Sequence, residues 1–159
     1  MKFNSALRNF VLVLFSTLLI SACSTAKKAK VDTVDDVYTG TETVEYLAKG
    51  VPDRVFFATN KSKLTTRSRD TLRKQATWLR KNKDVTVTVE GHADERGTRE
   101  YNLALGERRA NAAKDYLMTY GVSGKRITVI SYGKEKPVNP ASTPLAWSQN
   151  RRSVSVKTN

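Results

Sequence analysis

The chain has 159 residues, 39% of them hydrophobic, and a formal net charge of +13 from 28 basic and 15 acidic side chains. This length allows one ordinary domain with appendages and excludes two full cores, and the basic excess favours anionic partners. The only cysteine, Cys23, excludes an internal disulfide; the only histidine, His92, argues against a His/Cys metal cluster, and neither a metal nor any other cofactor is expected.

Lys2 and Arg8 open the chain, and an apolar run follows from Phe10 to Ile20. A bilayer span needs about 20 apolar residues, so this run is too short for a transmembrane helix and suits the core of a signal peptide over residues 1–22. The run ends in Leu19-Ile20-Ser21-Ala22-Cys23. Small residues directly before a lone cysteine resemble the bacterial lipoprotein signal box. That resemblance implies lipid on Cys23 and attachment to the cell outer membrane, since Ser24 stands where Asp would signal inner-membrane retention. The plainer alternative is an ordinary signal peptide with an incidental cysteine. Two or more acyl chains give stable anchoring where one is marginal, and lipidation also accounts for the odd thiol.

Residues 23–50 are read as the lipidated N-terminus and a flexible linker. They are rich in Lys, Asp, Thr and Glu, with few large apolar groups and one short amphipathic piece near Val44–Lys49. Residues 24–50 reach about 90 Å fully extended and about 30 Å as a coil. Their charge is close to neutral, so the basic excess belongs to a domain spanning 51–159.

In that domain Arg54–Ala58 reads as a first strand. Thr65–Lys81 reads as a helix with Ser68, Leu72, Ala76 and Leu79 on its buried stripe. Val85–Glu90 alternates as a second strand. Asn102–Tyr120 is the second helix, with Leu103, Ala110, Ala113 and Leu117 inward and Gly121 placed to stop it. Ile127–Tyr132 is a third strand, Leu145–Gln149 a short helical turn, and Ser153–Val156 a final strand. The expected class is α+β, in the order β-α-β-α-β-β, with a mixed four-stranded sheet and two main helices on one face.

Four stretches carry a family resemblance. They are Val55-Phe56-Phe57-Ala58-Thr59-Asn60-Lys61-Ser62, Val89-Glu90-Gly91-His92-Ala93-Asp94-Glu95-Arg96-Gly97-Thr98 followed by Tyr101-Asn102 and Leu105-Gly106-Glu107-Arg108-Arg109-Ala110-Asn111, Ile130-Ser131-Tyr132-Gly133-Lys134-Glu135-Lys136-Pro137, and Asn150-Arg151-Arg152-Ser153-Val154. Together they resemble the OmpA-like peptidoglycan-binding domain, over nearly all of 51–159. The resemblance implies non-covalent binding of the peptidoglycan stem peptide through its diamino acid, usually diaminopimelate. Asp94 would hold the ammonium and Arg109 the carboxylate, with Asn102 helping and the backbone of Ala58 and Thr59 lining the wall. Ala58 departs from the pattern, since many relatives have Asp there. It also implies partnership with TolB and other Tol proteins in envelope integrity and cell division.

The chemistry is sensible on its own terms. A zwitterionic group needs an anion and a cation at fixed separation, and the planar fork of Arg suits a carboxylate. Asp94 and Arg109 could instead be a structural ion pair. His92 is read as a hydrogen-bonding residue that shapes the loop; a wall-modifying hydrolase with His92 as base is the sharper alternative. A structural lipoprotein with protein partners only is another. The signal places the domain outside the cytoplasm, so no nucleic acid is expected despite the charge. Trp78 and Trp147 are read as packing residues. One of Arg151 and Arg152 is expected to support the site and the other to face solvent.

Overall fold

The computed structural model of the protein describes residues 36–158. The expected signal peptide, Cys23 and the first part of the expected linker lie outside the described residues. The elements are β1 (Tyr46–Ala48), β2 (Val51–Pro52), β3 (Arg54–Phe56), α1 (Thr66–Lys81), β4 (Val87–His92), α2 (Arg99–Thr119), β5 (Ile127–Gly133), α3 (Pro144–Asn150) and β6 (Arg152–Lys157). The main sheet runs in the order β3-β6-β4-β5, with β4 and β5 parallel and β6 antiparallel to both β3 and β4. The fold is α+β with a mixed four-stranded sheet.

Local chemistry sets the helix ends. The Thr65 hydroxyl accepts from the Ser68 N–H at 3.1 Å and starts α1. Thr98 does the same for α2 through the Tyr101 N–H at 3.2 Å. This cap starts α2 three residues before the expected Asn102. Gly121 stops it with φ of 83°, its N–H donating to the Met118 carbonyl at 2.9 Å while Val122 donates to Leu117 at 3.2 Å. These are the two bonds of a Schellman cap, which needs a left-handed residue where glycine stands.

Leu72, Ala76 and Leu79 of α1 and Ala110, Ala113 and Leu117 of α2 share one core with Val55, Val87, Val89 and Ile127. Both helices therefore cover the same face of the sheet. Leu103, expected in that core, is 49% exposed. The inward stripe of α2 passes instead through Asn102, Leu105, Gly106, Arg109 and Ala110, with Ala113 and Leu117 below. A stripe holding an asparagine and an arginine is hard to see by hydropathy, because polar side chains were assigned outward.

The flexible linker expected to reach residue 50 is packed on the domain across its described part. Val37 and Tyr38 are buried, the Tyr38 ring meets Phe56 edge-on at 4.8 Å, and Leu47 of β1 joins the main core. The amphipathic piece near Val44–Lys49 is β1, paired antiparallel with β2. Burying these few apolar groups contributes about 1.5–3 kcal/mol each, enough to hold a segment that composition alone reads as solvated.

Gly91 in β4 and Gly106 in α2 bring two backbones together. A Cβ built on Gly91 would lie 1.8 Å from the Gly106 carbonyl oxygen, which is backbone and cannot rotate aside. This contact seats α2 against β4 and fixes the height of Arg109 one turn further on. Gly91→Ala is expected to destabilise the fold by about 3 kcal/mol or more, read as a lowered urea midpoint; a midpoint within error of the parent would disprove the close approach.

Candidate functional site

The site lies where β3 and β4 end and α2 and β6 begin. After β3 the chain turns at Ala58–Lys61, closed by the Lys61 N–H to the Ala58 carbonyl at 3.2 Å with Asn60 at φ of 54°. This turn aims backbone carbonyls inward. Arg109 takes them: Nε donates to Lys61 at 2.9 Å and Nη2 to Ala58 at 3.1 Å, while Nη1 donates to His92 at the end of β4 at 2.8 Å. The side chain is 0% exposed and its charge lies 5.4 Å from the Phe57 ring. Burial, then the nearby Arg151 charge, lowers its pKa to about 10, so it stays protonated at neutral pH.

Asp94 follows β4 and is buried. One carboxylate oxygen accepts from the Arg96 backbone N–H at 3.1 Å and from Arg96 Nε at 3.0 Å. The other accepts from Arg96 Nη2 at 2.7 Å and from Arg151 Nη1 at 3.3 Å. Burial pushes the Asp94 pKa up, but the bonds from Arg96 outweigh it and leave the carboxyl below its ordinary value. The direct ion pairs of Asp94 are therefore with Arg96 and Arg151. Arg109 lies close enough for the Asp94 charge to favour its protonated form, without a direct pair.

The remaining expected residues frame this cluster. Asn102, buried in the first turn of α2, donates to the Arg96 carbonyl at 2.8 Å and holds the 94–98 loop. Ala58 gives its carbonyl to Arg109. Thr59 meets Arg96 Nη2 through its hydroxyl at 3.3 Å. Trp147 is more than packing: the Arg96 guanidinium stacks on its ring at 4.4 Å and its indole donates to Glu95 at 2.8 Å.

Arg151 is the supporting arginine, its Nε donating to the Phe57 carbonyl at 3.0 Å. Arg152 does not face solvent. It is buried on the other side of the sheet, donating to the Lys136 carbonyl at 3.2 Å, and burial lowers its pKa to about 10. Arg96 was missed as a site residue. The signal was its place two residues after Asp94, within reach of a loop carboxylate.

His92 makes no hydrogen bond of good geometry through either ring nitrogen, so it does not shape the loop in the expected way. Its ring faces Tyr132 at 5.5 Å and approaches Glu90 at 3.5 Å. Burial, followed by the charges of Arg152, Arg54 and Lys136, lowers its pKa to about 3 against a weak opposing pull from the Lys136 backbone. The ring is neutral, the Glu90 contact is not an ion pair, and so weak a base cannot activate a nucleophile.

The OmpA family model matches residues 56–151. The peptidoglycan-associated lipoprotein of Brucella melitensis is 42% identical over 150 residues, covering 91% of this chain and 89% of that one. The chain belongs to the peptidoglycan-associated lipoproteins of the OmpA family. The Rhizobium meliloti member is 56% identical over 106 residues, which span 67% of this chain and 60% of that relative's length. The crystal structure of the peptidoglycan-associated lipoprotein from Burkholderia pseudomallei superposes with a TM-score of 0.65 at 35% identity, covering 67% of this chain and 90% of that one. The matched OmpA segment runs from the end of β3 to Arg151 and so contains Ala58, Thr59, Asp94, Arg96, Asn102 and Arg109.

The buried neutral ring has a consequence for stability. Unfolded, His92 takes a proton near its ordinary 6.5; folded, only near 3. Below pH 6.5 the unfolded state binds more protons, so stability declines as pH falls, by up to about 1.4 kcal/mol per unit from this residue until about pH 3. In denaturant unfolding between pH 7 and 4, His92→Gln is expected to show a shallower decline than the parent; parallel pH profiles would refute this.

Proposed function

We propose that this chain is an outer-membrane lipoprotein that grips peptidoglycan without cutting it. Lipid on Cys23 holds one end, and the domain takes the zwitterionic tip of diaminopimelate in the stem peptide. The observation that carries this reading is the cluster of one buried carboxylate, Asp94, among Arg96, Arg109 and Arg151, all within the family segment. Relatives bearing the name peptidoglycan-associated lipoprotein support it.

The cluster suggests how the ligand is held. The Arg96 side chain is 42% exposed, the solvent-facing partner of Asp94. A ligand ammonium takes its place on Asp94. The ligand carboxylate is drawn to the guanidinium charges, including Arg109, which is reached once the overlying ion pairs part. A guanidinium has five N–H donors and Arg109 commits three to backbone carbonyls. Ala58 and Thr59 form the wall and Asn102 fixes the loop. In this reading the lipid-anchored domain also meets TolB and other Tol proteins, coupling the wall to the outer membrane during division. Hydrolysis is disfavoured by the neutral, weakly basic His92 and by Asp94 held ionised between arginines.

Pulldown on purified peptidoglycan sacculi tests the site. Asp94→Asn is expected to retain at least about tenfold less protein than the parent, as befits a lost charge pair of about 1.5–3 kcal/mol, with thermal unfolding followed in parallel. Equal retention by folded variant and parent overturns the role of Asp94, and a parent that does not sediment with sacculi overturns wall binding.

A further inference from the structure

Asp36 reaches the site from outside the segment matched by the OmpA family. Its backbone has φ of 46°, a left-handed turn that Asp adopts more readily than most residues. Its carboxylate accepts from the Thr59 backbone N–H at 2.9 Å and from the Thr59 hydroxyl. Arg151 Nη2 lies 3.2 Å from the same carboxylate and donates to the Asp36 carbonyl. The next two residues, Val37 and Tyr38, are buried. Asp36 therefore belongs to a strap docked on the domain, and its side chain remains 47% exposed.

A backbone N–H, a hydroxyl and a guanidinium converging on one carboxylate form a recognition site for that group, because charge-assisted bonds of fixed direction select it. The arrangement also has a second half. Arg96 sits on Asp94 and touches Thr59, and the Asp36 charge adds to what keeps Arg96 protonated. Arg96 and Asp36 thus form a cation and an anion side by side, one on Asp94 and the other on Thr59 and Arg151. The free chain satisfies its own site with an internal pair of the same chemical kind as a zwitterionic ligand.

We propose that Thr59 and Arg151 form a carboxylate subsite, that Asp36 is its occupant in the free chain, and that the side-chain carboxylate of a bound diamino acid displaces Asp36. This rests on the reading that the domain binds such a zwitterionic tip, and adds to it a subsite and a built-in competitor. A self-occupied site binds with its affinity scaled down to the fraction of time it stands open. By reciprocity, ligand that enters the subsite frees the strap.

The test is calorimetric titration of the full chain in mild detergent with two C-terminally amidated tripeptides. One ends in diaminopimelate with its side-chain carboxylate free; the other ends in lysine, which lacks that carboxylate. Asp36→Ala is expected to tighten the diaminopimelate peptide by about tenfold and leave the lysine peptide unchanged. Thr59→Val in the same background is expected to reverse part of the gain. Asp36→Asn, which keeps the size and an acceptor for the Thr59 N–H, is expected to give an intermediate gain and guards against a folding defect. Amide exchange at Val37–Gly40 in the parent is expected to speed up on saturation with the diaminopimelate peptide. Binding of equal or lower affinity by the Asp36 variants overturns the subsite while leaving wall binding intact. Failure of every chain to bind either peptide overturns the zwitterion reading and the subsite with it.

Discussion

The architecture of the site depends on a single buried guanidinium. Arg109 ties the turn after β3 to the end of β4 by donating to the carbonyls of Ala58, Lys61 and His92 from one planar group. A lysine would not match this, since its three donors leave from one nitrogen, whereas Arg109 uses three nitrogens spread across a plane. Placing a charge where no water reaches it is costly, and backbone dipoles with the field of Asp94 offset only part of that cost, as its lowered pKa of about 10 shows. The Gly91–Gly106 contact makes the arrangement possible, because α2 must lie directly on β4 for a residue one turn below Gly106 to reach both loops.

The same use of arginine recurs across the domain and changes the meaning of its charge. Arg126 closes the end of α1 by donating to Leu79, Asn82 and Val85 carbonyls, at 2.7 Å for Asn82. Arg151 brackets Phe57, Asp36 and Asp94, and buried Arg54 holds Asp53 through two bonds of 2.8 and 2.7 Å. A good part of the basic excess is thus structural, employed as multi-donor brackets for carbonyls and carboxylates. Bonding to carbonyls does not neutralise Arg109 or Arg126, so these charges still contribute to the long-range field of the domain.

At the site itself, rigid and movable parts are separated. Arg109, Asn102 and Arg151 are buried and locked by backbone bonds. Arg96 is held by Asp94 and a tryptophan face, and Asp36, on the docked strap, by Thr59 and Arg151. A site built this way keeps the buried Asp94 carboxylate paired with Arg96 and Arg151, which avoids the large penalty of an uncompensated buried ion. In the proposed binding mode the ligand then competes with the chain's own groups.

Local order was legible in the residues themselves. The Gly121 stop, the alternation of Val87 and Val89 and the stripe of Leu72, Ala76 and Leu79 each follow from how a side chain meets its neighbours along the chain, and with the four quoted stretches they pointed to the fold class and family. Leu103 against Asn102 and Arg109, Arg152 in an interior, the docking of residues 36–48 and the partners of Asp94 were decided only in three dimensions. Hydropathy reports whether a side chain prefers water, one residue at a time. Which charge neutralises which is a matter of distance through space, and Arg151 meets Asp94 across 57 positions of chain while Asp36 meets Thr59 across 23. Periodicity carries no information about such pairs, so the sequence specified the groups and the packing of helix on sheet chose their partners.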